Sequence, residues 1–375
     1  MSTEAVVTAI RESSSNHTPL RICGRSTWLT AGRPVIARSA LSLRDDAGVV
    51  SYVPGDLTLT VRAGTTLSEI GRVTEEHDQW LPLDPFGSAD GTIGATVATA
   101  SSGPLAQAFG SPRDLLLGLE FVTGRCDVVR GGGKVVKNVA GFDLSRLLTG
   151  SWGTLGVITE VTVRLYARPK ADRTFALQVE QGDNQPAQQI HALRTSPLMP
   201  FAIELVGTTV AKALGLGDRP TFLIRLGGNQ TAVETQARVL AQLGAVDEVA
   251  TDVWDKLRTL EGEADAVIRY STLPTEFLAI FQRPVFRDFP KSLVYANPMR
   301  GSARVAISSL GDHDLLRTGL HDRQDVDASS VQIFEKLPAN LWESLAPSAV
   351  SDPLSRAIRK AYDPHNLLNP GLLGD

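Results

Sequence analysis

The chain has 375 residues, with 37 basic and 41 acidic side chains and a formal net charge of −4. Hydrophobic residues at 42% and charged residues at 21% exclude a largely disordered chain, and the slight acidic excess argues against a nucleic-acid surface, which shows itself as a basic one. Two cysteines, Cys23 and Cys126, are too few for an iron–sulfur cluster or a structural zinc site, and their sparseness fits a reducing compartment.

In chain order, Val6 and Ile10 predict a short amphipathic helix that ends before Pro19. Leu20–Cys23 reads as a strand running into the turn Gly24-Arg25-Ser26-Thr27. Strands follow at Val49–Val53 and Leu57–Arg62, then a helix from Leu67 to His77. From Leu81 to Gly103, Pro, Gly, Asp, Ser and Thr crowd out any apolar period, which predicts loop. Leu115–Thr123 and Val128–Val136 return to strand character, with Gly131-Gly132-Gly133 expected as a hairpin turn. Asp143 is placed to cap a short helix ending at Gly150, and Val157–Leu165 alternates as a strand. The charged break Ala167-Arg168-Pro169-Lys170 marks the expected domain boundary, dividing the chain into 1–168 and 169–375. Beyond it, Phe175–Val179, Phe201–Val206, Phe222–Leu226, Ala264–Arg269, Arg304–Ser308 and Val331–Phe334 read as strands. A helix over Ala232–Leu243 has an apparent capping box at Thr231 and Glu234. This interleaving predicts an α+β domain, and no internal repeat is visible.

Glycine is unevenly spread: 20 of the 33 lie in residues 1–168. The densest chemistry is Gly91-Thr92-Ile93-Gly94-Ala95-Thr96-Val97-Ala98-Thr99. Small residues there can expose backbone N–H groups as an anion nest, with hydroxyls at Thr92, Thr96, Thr99, Ser101 and Ser102 as further donors. The same composition also describes a tight surface loop. A nicotinamide-type Gly-x-Gly-x-x-Gly turn after the first strand is absent, because Gly24-Arg25-Ser26 does not supply it, and no phosphate loop ending in Gly-Lys-Ser/Thr occurs.

Two further stretches are continuous: Val136-Lys137-Asn138-Val139-Ala140-Gly141-Phe142-Asp143-Leu144, and Gly150-Ser151-Trp152-Gly153-Thr154-Leu155-Gly156-Val157-Ile158-Thr159-Glu160. Taken with Thr92-Ile93-Gly94, they resemble FAD-binding proteins of the vanillyl-alcohol-oxidase/PCMH type, and among these the FAD-binding subunits of bacterial glycolate oxidases. The likeness covers residues 20–168 and resumes in Asp363-Pro364-His365-Asn366-Leu367-Leu368-Asn369-Pro370-Gly371, which is similar to the ending of 2-hydroxy-acid flavoenzymes.

The resemblance implies an α+β fold in which a two-subdomain PCMH-type FAD-binding domain precedes a smaller, ferredoxin-like α+β cap that carries the C-terminal tail. It assigns cofactor contacts to Gly24, Arg25, Ser26 and Thr27 as the pyrophosphate loop, although that loop lacks the family's run of glycines. A second flavin-wrapping segment would run from Leu81 through Pro85, Gly91, Thr92, Ile93, Gly94, Ala95, Thr96 and Thr99 to Gly103. Gly110, Ser111 and Asp114 form the next family-type turn, and Gly156, Val157 and Ile158 the strand beside the cofactor. Lys137 and Asn138 match the motif, either as cofactor contacts or as braces of the fold. Neither His nor Cys stands between Gly24 and Leu29, and Gly91 to Gly103 holds no Cys, so non-covalent FAD is expected.

Hydroxy-acid oxidation also needs a cation for the carboxylate and a base for the hydroxyl proton. The family's histidine-bearing Gly-His-x-Gly-Asp-Gly-Asn segment is not found; Gly311-Asp312-His313, followed by His321, is the nearest stretch. Arg283, Arg287 and Lys291 form either a carboxylate clamp or a solvated basic face. Three readings therefore stay open. The chain is an FAD subunit of a glycolate oxidase complex with a second FAD-containing catalytic subunit and an iron–sulfur subunit, a self-sufficient flavin dehydrogenase, or a structural partner that has lost FAD. With no window near ~18 uninterrupted apolar residues and no apolar leader in Met1–Pro19, a cytoplasmic protein is expected, peripheral to the inner membrane only through partners.

Overall fold

The computed structural model describes residues 2–133, 143–180, 182, 185–283, 285, 289–308, 313–320 and 330–374. Lys137, Asn138, Arg287 and His321 lie outside the described residues, as does the His313 side chain. The chain forms two units. Residues 1–103, 109–168 and 347–375 make the first, and residues 104–108 and 169–346 the second.

In the first unit, helix α1 (Thr3–Asn16) starts at Ser2, whose hydroxyl accepts from the Ala5 N–H, and it buries Val6, Ile10 and Ser13. The strands are β1 (Leu20–Cys23), β2 (Ser39–Ser42), β3 (Val49–Val53), β4 (Thr58–Arg62), β5 (Gln79–Trp80), β6 (Leu116–Val122), β7 (Val128–Gly132), β8 (Val157–Arg164) and β9 (Tyr166–Ala167). β1 and β2 pair in parallel. β5 pairs with β9, and an antiparallel sheet runs in the order β3-β4-β8-β6-β7. Leu59, Val61, Phe121, Val157, Val161 and Leu165 are fully buried in its core. Helix α2 (Leu67–Glu75) begins in a capping box of Thr66 and Glu69.

Two expectations fail in this unit. Residues 81–103 are not all loop: helix α3 (Ile93–Thr99) starts from Thr92. Periodicity missed it because Gly, Ala and Thr fill positions that usually announce an apolar face. The glycine triplet is not a hairpin turn. Gly131 and Gly132 are the last residues of β7, paired with Leu119 and Gly118. A Cβ at Gly132 would lie 2.2 Å from the Leu117 carbonyl oxygen, so only glycine fits that strand end. The real turn joining β6 and β7 is Thr123–Asp127, where the Thr123 N–H donates to the Asp127 carbonyl and Cys126 takes φ 68°.

Among the described residues the second unit has eight strands: β10 (Ala171–Gln178), β11 (Ala202–Val206), β12 (Thr221–Gly228), β13 (Val246–Val249), β14 (Ala266–Ser271), β15 (Leu293–Asn297), β16 (Ser302–Ile307) and β17 (Val331–Lys336). They form one antiparallel sheet in the order β13-β10-β12-β11-β15-β16-β14-β17. Its first four strands, taken in chain order, lie fourth-first-third-second, the arrangement of a ferredoxin-like βαββαβ unit. The last four repeat that order in mirror sequence, and β11 and β15 join the halves edge to edge. The duplication is topological and leaves no repeat in the sequence. Helix Gln230–Leu240 starts two residues before the expected box, because the Asn229 side chain, not Thr231, accepts from the Ala232 N–H.

The tail corrects the expected 169–375 domain. Leu20 donates to the Leu367 carbonyl at 2.7 Å, Leu20 bridges Leu368 in parallel, and Leu367 and Leu368 are buried with the core of the first unit. Asp363 holds this bend by accepting from the N–H groups of Leu367 and Leu368. Short-range pattern could not show a strand partner some 350 residues away.

Candidate functional site

The first unit contains a cavity of about 1180 Å³, open solvent at its mouth included. Its walls come from the turn after β1, the residues leading into α3, α3 itself, the Trp152–Gly156 turn, Ile158 of β8, and Asn369 and Leu372 of the tail. Two arginines, Arg21 and Arg25, and seven hydroxyl residues line it (Ser26, Thr27, Ser88, Thr92, Thr96, Thr99 and Ser101). Among the described residues no carboxylate lines it. Such a wall suits a large ligand with an anionic group and apolar faces.

The expected backbone donors of Ile93, Gly94, Ala95 and Thr96 are already used. The Ile93 N–H donates to the Thr65 carbonyl and the Gly94 N–H to the Ala63 carbonyl, both at 2.9 Å. The Ala95 N–H donates to Thr92 Oγ1. The predicted anion nest is therefore corrected there: tertiary contacts satisfy the first-turn donors of α3 that would otherwise stand open. The turn after β1 is different. Among the described residues, none accepts from the backbone N–H groups of Arg25, Ser26 or Thr27. Ser26 takes φ 63°, the left-handed conformation from which successive N–H groups form anion-binding concavities.

The glycines serve packing more than ligand approach. A Cβ on Gly24 would meet Thr92 Oγ1 at 2.3 Å, and one on Gly94 would meet Ala63 Cβ at 2.7 Å. A Cβ on Gly156 would stand 2.6 Å from the Phe121 ring. Each glycine lets two wall segments close on one another, and the cavity is what remains between them.

Of the sequence-derived residues, the cavity brings together Gly24, Arg25, Ser26, Thr27, Pro85, Gly91, Thr92, Gly94, Ala95, Thr96, Thr99, Gly156 and Ile158. It does not include Ile93 or Val157, which are fully buried core. Nor does it include Gly103, where a Cβ would fall 1.8 Å from the Asp84 carbonyl oxygen. Gly110, Ser111 and Asp114 build a local cap. Asp114 Oδ2 accepts from the Ser111 N–H at 2.8 Å and its hydroxyl at 2.7 Å, and these bonds hold its carboxyl below the usual range. Sequence reasoning missed Trp28, Phe86, Ser88, Trp152, Asn369 and Leu372. The Trp28 and Trp152 rings lie 5.8 Å apart in the wall, and Trp152 sits at φ 56°, a conformation non-glycine residues rarely take. Its place just before Gly153 and two residues after Gly150 was the available signal.

In the second unit, Arg283 stacks over the Tyr270 ring at 5.1 Å and bonds the Ser330 hydroxyl, so this candidate clamp is already engaged. Lys291 is exposed. A buried arginine, Arg304, grips Glu261 through two bonds of 2.6 and 2.7 Å and also pairs with Glu335. Tyr295 donates to Glu261 at 2.8 Å. This network satisfies its own charges and leaves no evident grip for an added carboxylate. Among the described residues, no cluster of three or more metal-ligating side chains occurs, and no helix is long and apolar enough to cross a membrane.

The FAD binding domain family matches residues 1–132. The glycolate oxidase subunit GlcE of Escherichia coli (strain K12) is 35% identical over 257 residues, 68% of this chain and 68% of that protein. The glycolate oxidase subunit GlcD of Bacillus subtilis (strain 168) is 26% identical, covering 96% of this chain and 84% of its own length. A p-cresol methylhydroxylase crystal structure aligns with TM-score 0.73 over 100% of this chain and 87% of that one; at 16% identity the likeness is one of fold. The chain belongs to the PCMH-type FAD-linked oxidoreductases, in the family that includes the glycolate oxidase subunit. It is an FAD-dependent oxidoreductase of the class acting on CH–OH groups, and its cofactor is non-covalent FAD.

Proposed function

We propose that this member of the PCMH-type flavoproteins serves as an FAD-bearing subunit of an assembly that oxidises a small 2-hydroxy acid, glycolate or D-lactate. The electrons then pass to an iron–sulfur subunit and on toward quinone. The observation that carries the cofactor site is the Arg25–Thr27 turn: among the described residues its N–H groups have no acceptor and the cavity wall holds no carboxylate. That turn and Arg25 would hold the diphosphate, and the hydroxyls of Thr96, Thr99 and Ser101 would bond the polar parts of the cofactor. Trp28, Trp152 and Ile158 would shield its apolar faces from water. Bound FAD supplies a two-electron acceptor for the hydrogen on the hydroxyl-bearing carbon. Oxidation of glycolate to glyoxylate releases two electrons and two protons, and two cysteines cannot relay those electrons through a cluster in this chain. A partner must carry that step. The similarity to a glycolate oxidase subunit supports the choice of substrate class.

The test is purification of the chain alone and then with candidate partners. A yellow protein whose flavin is released by acid precipitation is expected; a colourless protein that stays so after FAD soaking refutes the site. Under anaerobic conditions, glycolate or D-lactate should bleach the flavin only when the partner subunits are present. Bleaching by the isolated chain would mean that it oxidises the substrate unaided.

A further inference from the structure

The tail lies against the cavity through one side chain. Asn369 is buried and takes φ 48°. Its Oδ1 accepts from the Ile22 N–H of β1 at 2.8 Å, and its Nδ2 donates to the Trp152 carbonyl at 2.7 Å. Its own N–H donates to the Leu20 carbonyl at 3.0 Å. The side-chain amide thus ties together two walls of the cavity: the strand leading into the Arg25–Thr27 turn, and the strained Trp152 turn whose ring lies 5.8 Å from that of Trp28. Gly153 is shaped to this contact, since a Cβ there would stand 2.9 Å from Asn369 Nδ2.

We propose that Asn369 is the positioning residue of the FAD cavity, spacing the diphosphate-binding turn from the Trp28–Trp152 wall. The inference rests on the FAD reading of that cavity. An amide of this length accepts from one wall through its oxygen and donates to the other through its nitrogen, and asparagine is among the few side chains at ease in the left-handed conformation. A pocket formed in advance binds more tightly than one its ligand must assemble. Because Asn369 lies in the tail, the cavity becomes complete only when the end of the chain has docked.

Two full-length variants test this. N369G tolerates the left-handed backbone and loses both bonds. N369D keeps the Ile22 bond but sets a carboxylate against the Trp152 carbonyl. FAD affinity should fall about tenfold to a hundredfold in each and the visible circular dichroism of bound flavin should change, while in the apoprotein the Ile22 amide should exchange faster in N369G, which loses its acceptor, and not in N369D. S348A, altered in the tail outside the cavity wall, should match the unaltered protein in all three. Unchanged affinity and flavin dichroism in N369G and N369D would overturn the proposal. Loss of the whole fold in both would overturn it too, by making Asn369 a residue of general stability. If the unaltered protein takes up no FAD, the underlying cofactor reading fails instead.

Discussion

Two segments of the first unit look alike as sequence and do opposite things. Gly24–Thr27 and Gly91–Thr96 both combine glycine with small hydroxyl residues, and both line the same cavity. In the second, the donors of Ile93, Gly94 and Ala95 are taken by Thr65, Ala63 and Thr92. In the first, the donors of Arg25 to Thr27 have no acceptor among the described residues. The composition of an anion site is therefore not the site; what matters is whether the surrounding fold has already consumed its N–H groups.

Four substitutions or conditions probe that contrast. The largest effect is expected from G94A, whose methyl would press on Ala63 Cβ and on the Ala63 carbonyl oxygen at 2.9 Å. With backbone in the way, urea denaturation of the apoprotein should show a loss of about 1–3 kcal/mol. S26P follows, because proline removes an open donor and cannot take φ 63°. Its FAD affinity, by fluorescence titration, should drop about tenfold or more, whereas S26G should bind as the unaltered protein does. If S26P binds normally, the two segments do not differ as argued. T92A removes the acceptor for the Ala95 N–H and should lower stability by about 1 kcal/mol, with T92S restoring it. Glu69 gives the smallest and most local effect. The Thr66 N–H and hydroxyl bond its carboxylate and hold it below its ordinary value of 4.5, burial opposing them. Because the folded value is the lower one, this contribution is complete above about pH 4.5 and disappears as pH falls through the folded value. Acid should therefore loosen the Thr66–Thr92 bridge before the Gly24–Thr27 turn, and amide exchange at Leu67 and Ile93 reads it; E69Q should remove that pH dependence.

Much of the molecule was legible locally. The amphipathic spacing of Val6 and Ile10, the alternation of Val157–Leu165 and the Asp143 cap each correspond to an element within a residue or two. Helix α3 and the Gly131–Gly132 strand end were not legible, because small residues carry no periodic signal and their reason for being small is a neighbour distant in sequence. The topological duplication of the second unit was equally silent, since strand order is set by pairing across the sheet and leaves no mark on the order of residues.

By itself the sequence determined the kind of protein: an α+β flavoprotein of the PCMH type, with too few cysteines for a cluster of its own and glycines gathered where the cofactor domain lies. Tertiary structure alone decided which turn keeps its N–H groups open, and that the last residues of the chain close the wall of a cavity begun by the first strand. The physical reason is the same in both cases. Residue type sets what a group can donate or accept, but whether it is free to do so depends on partners tens to hundreds of residues away, which only the folded chain brings within hydrogen-bond distance.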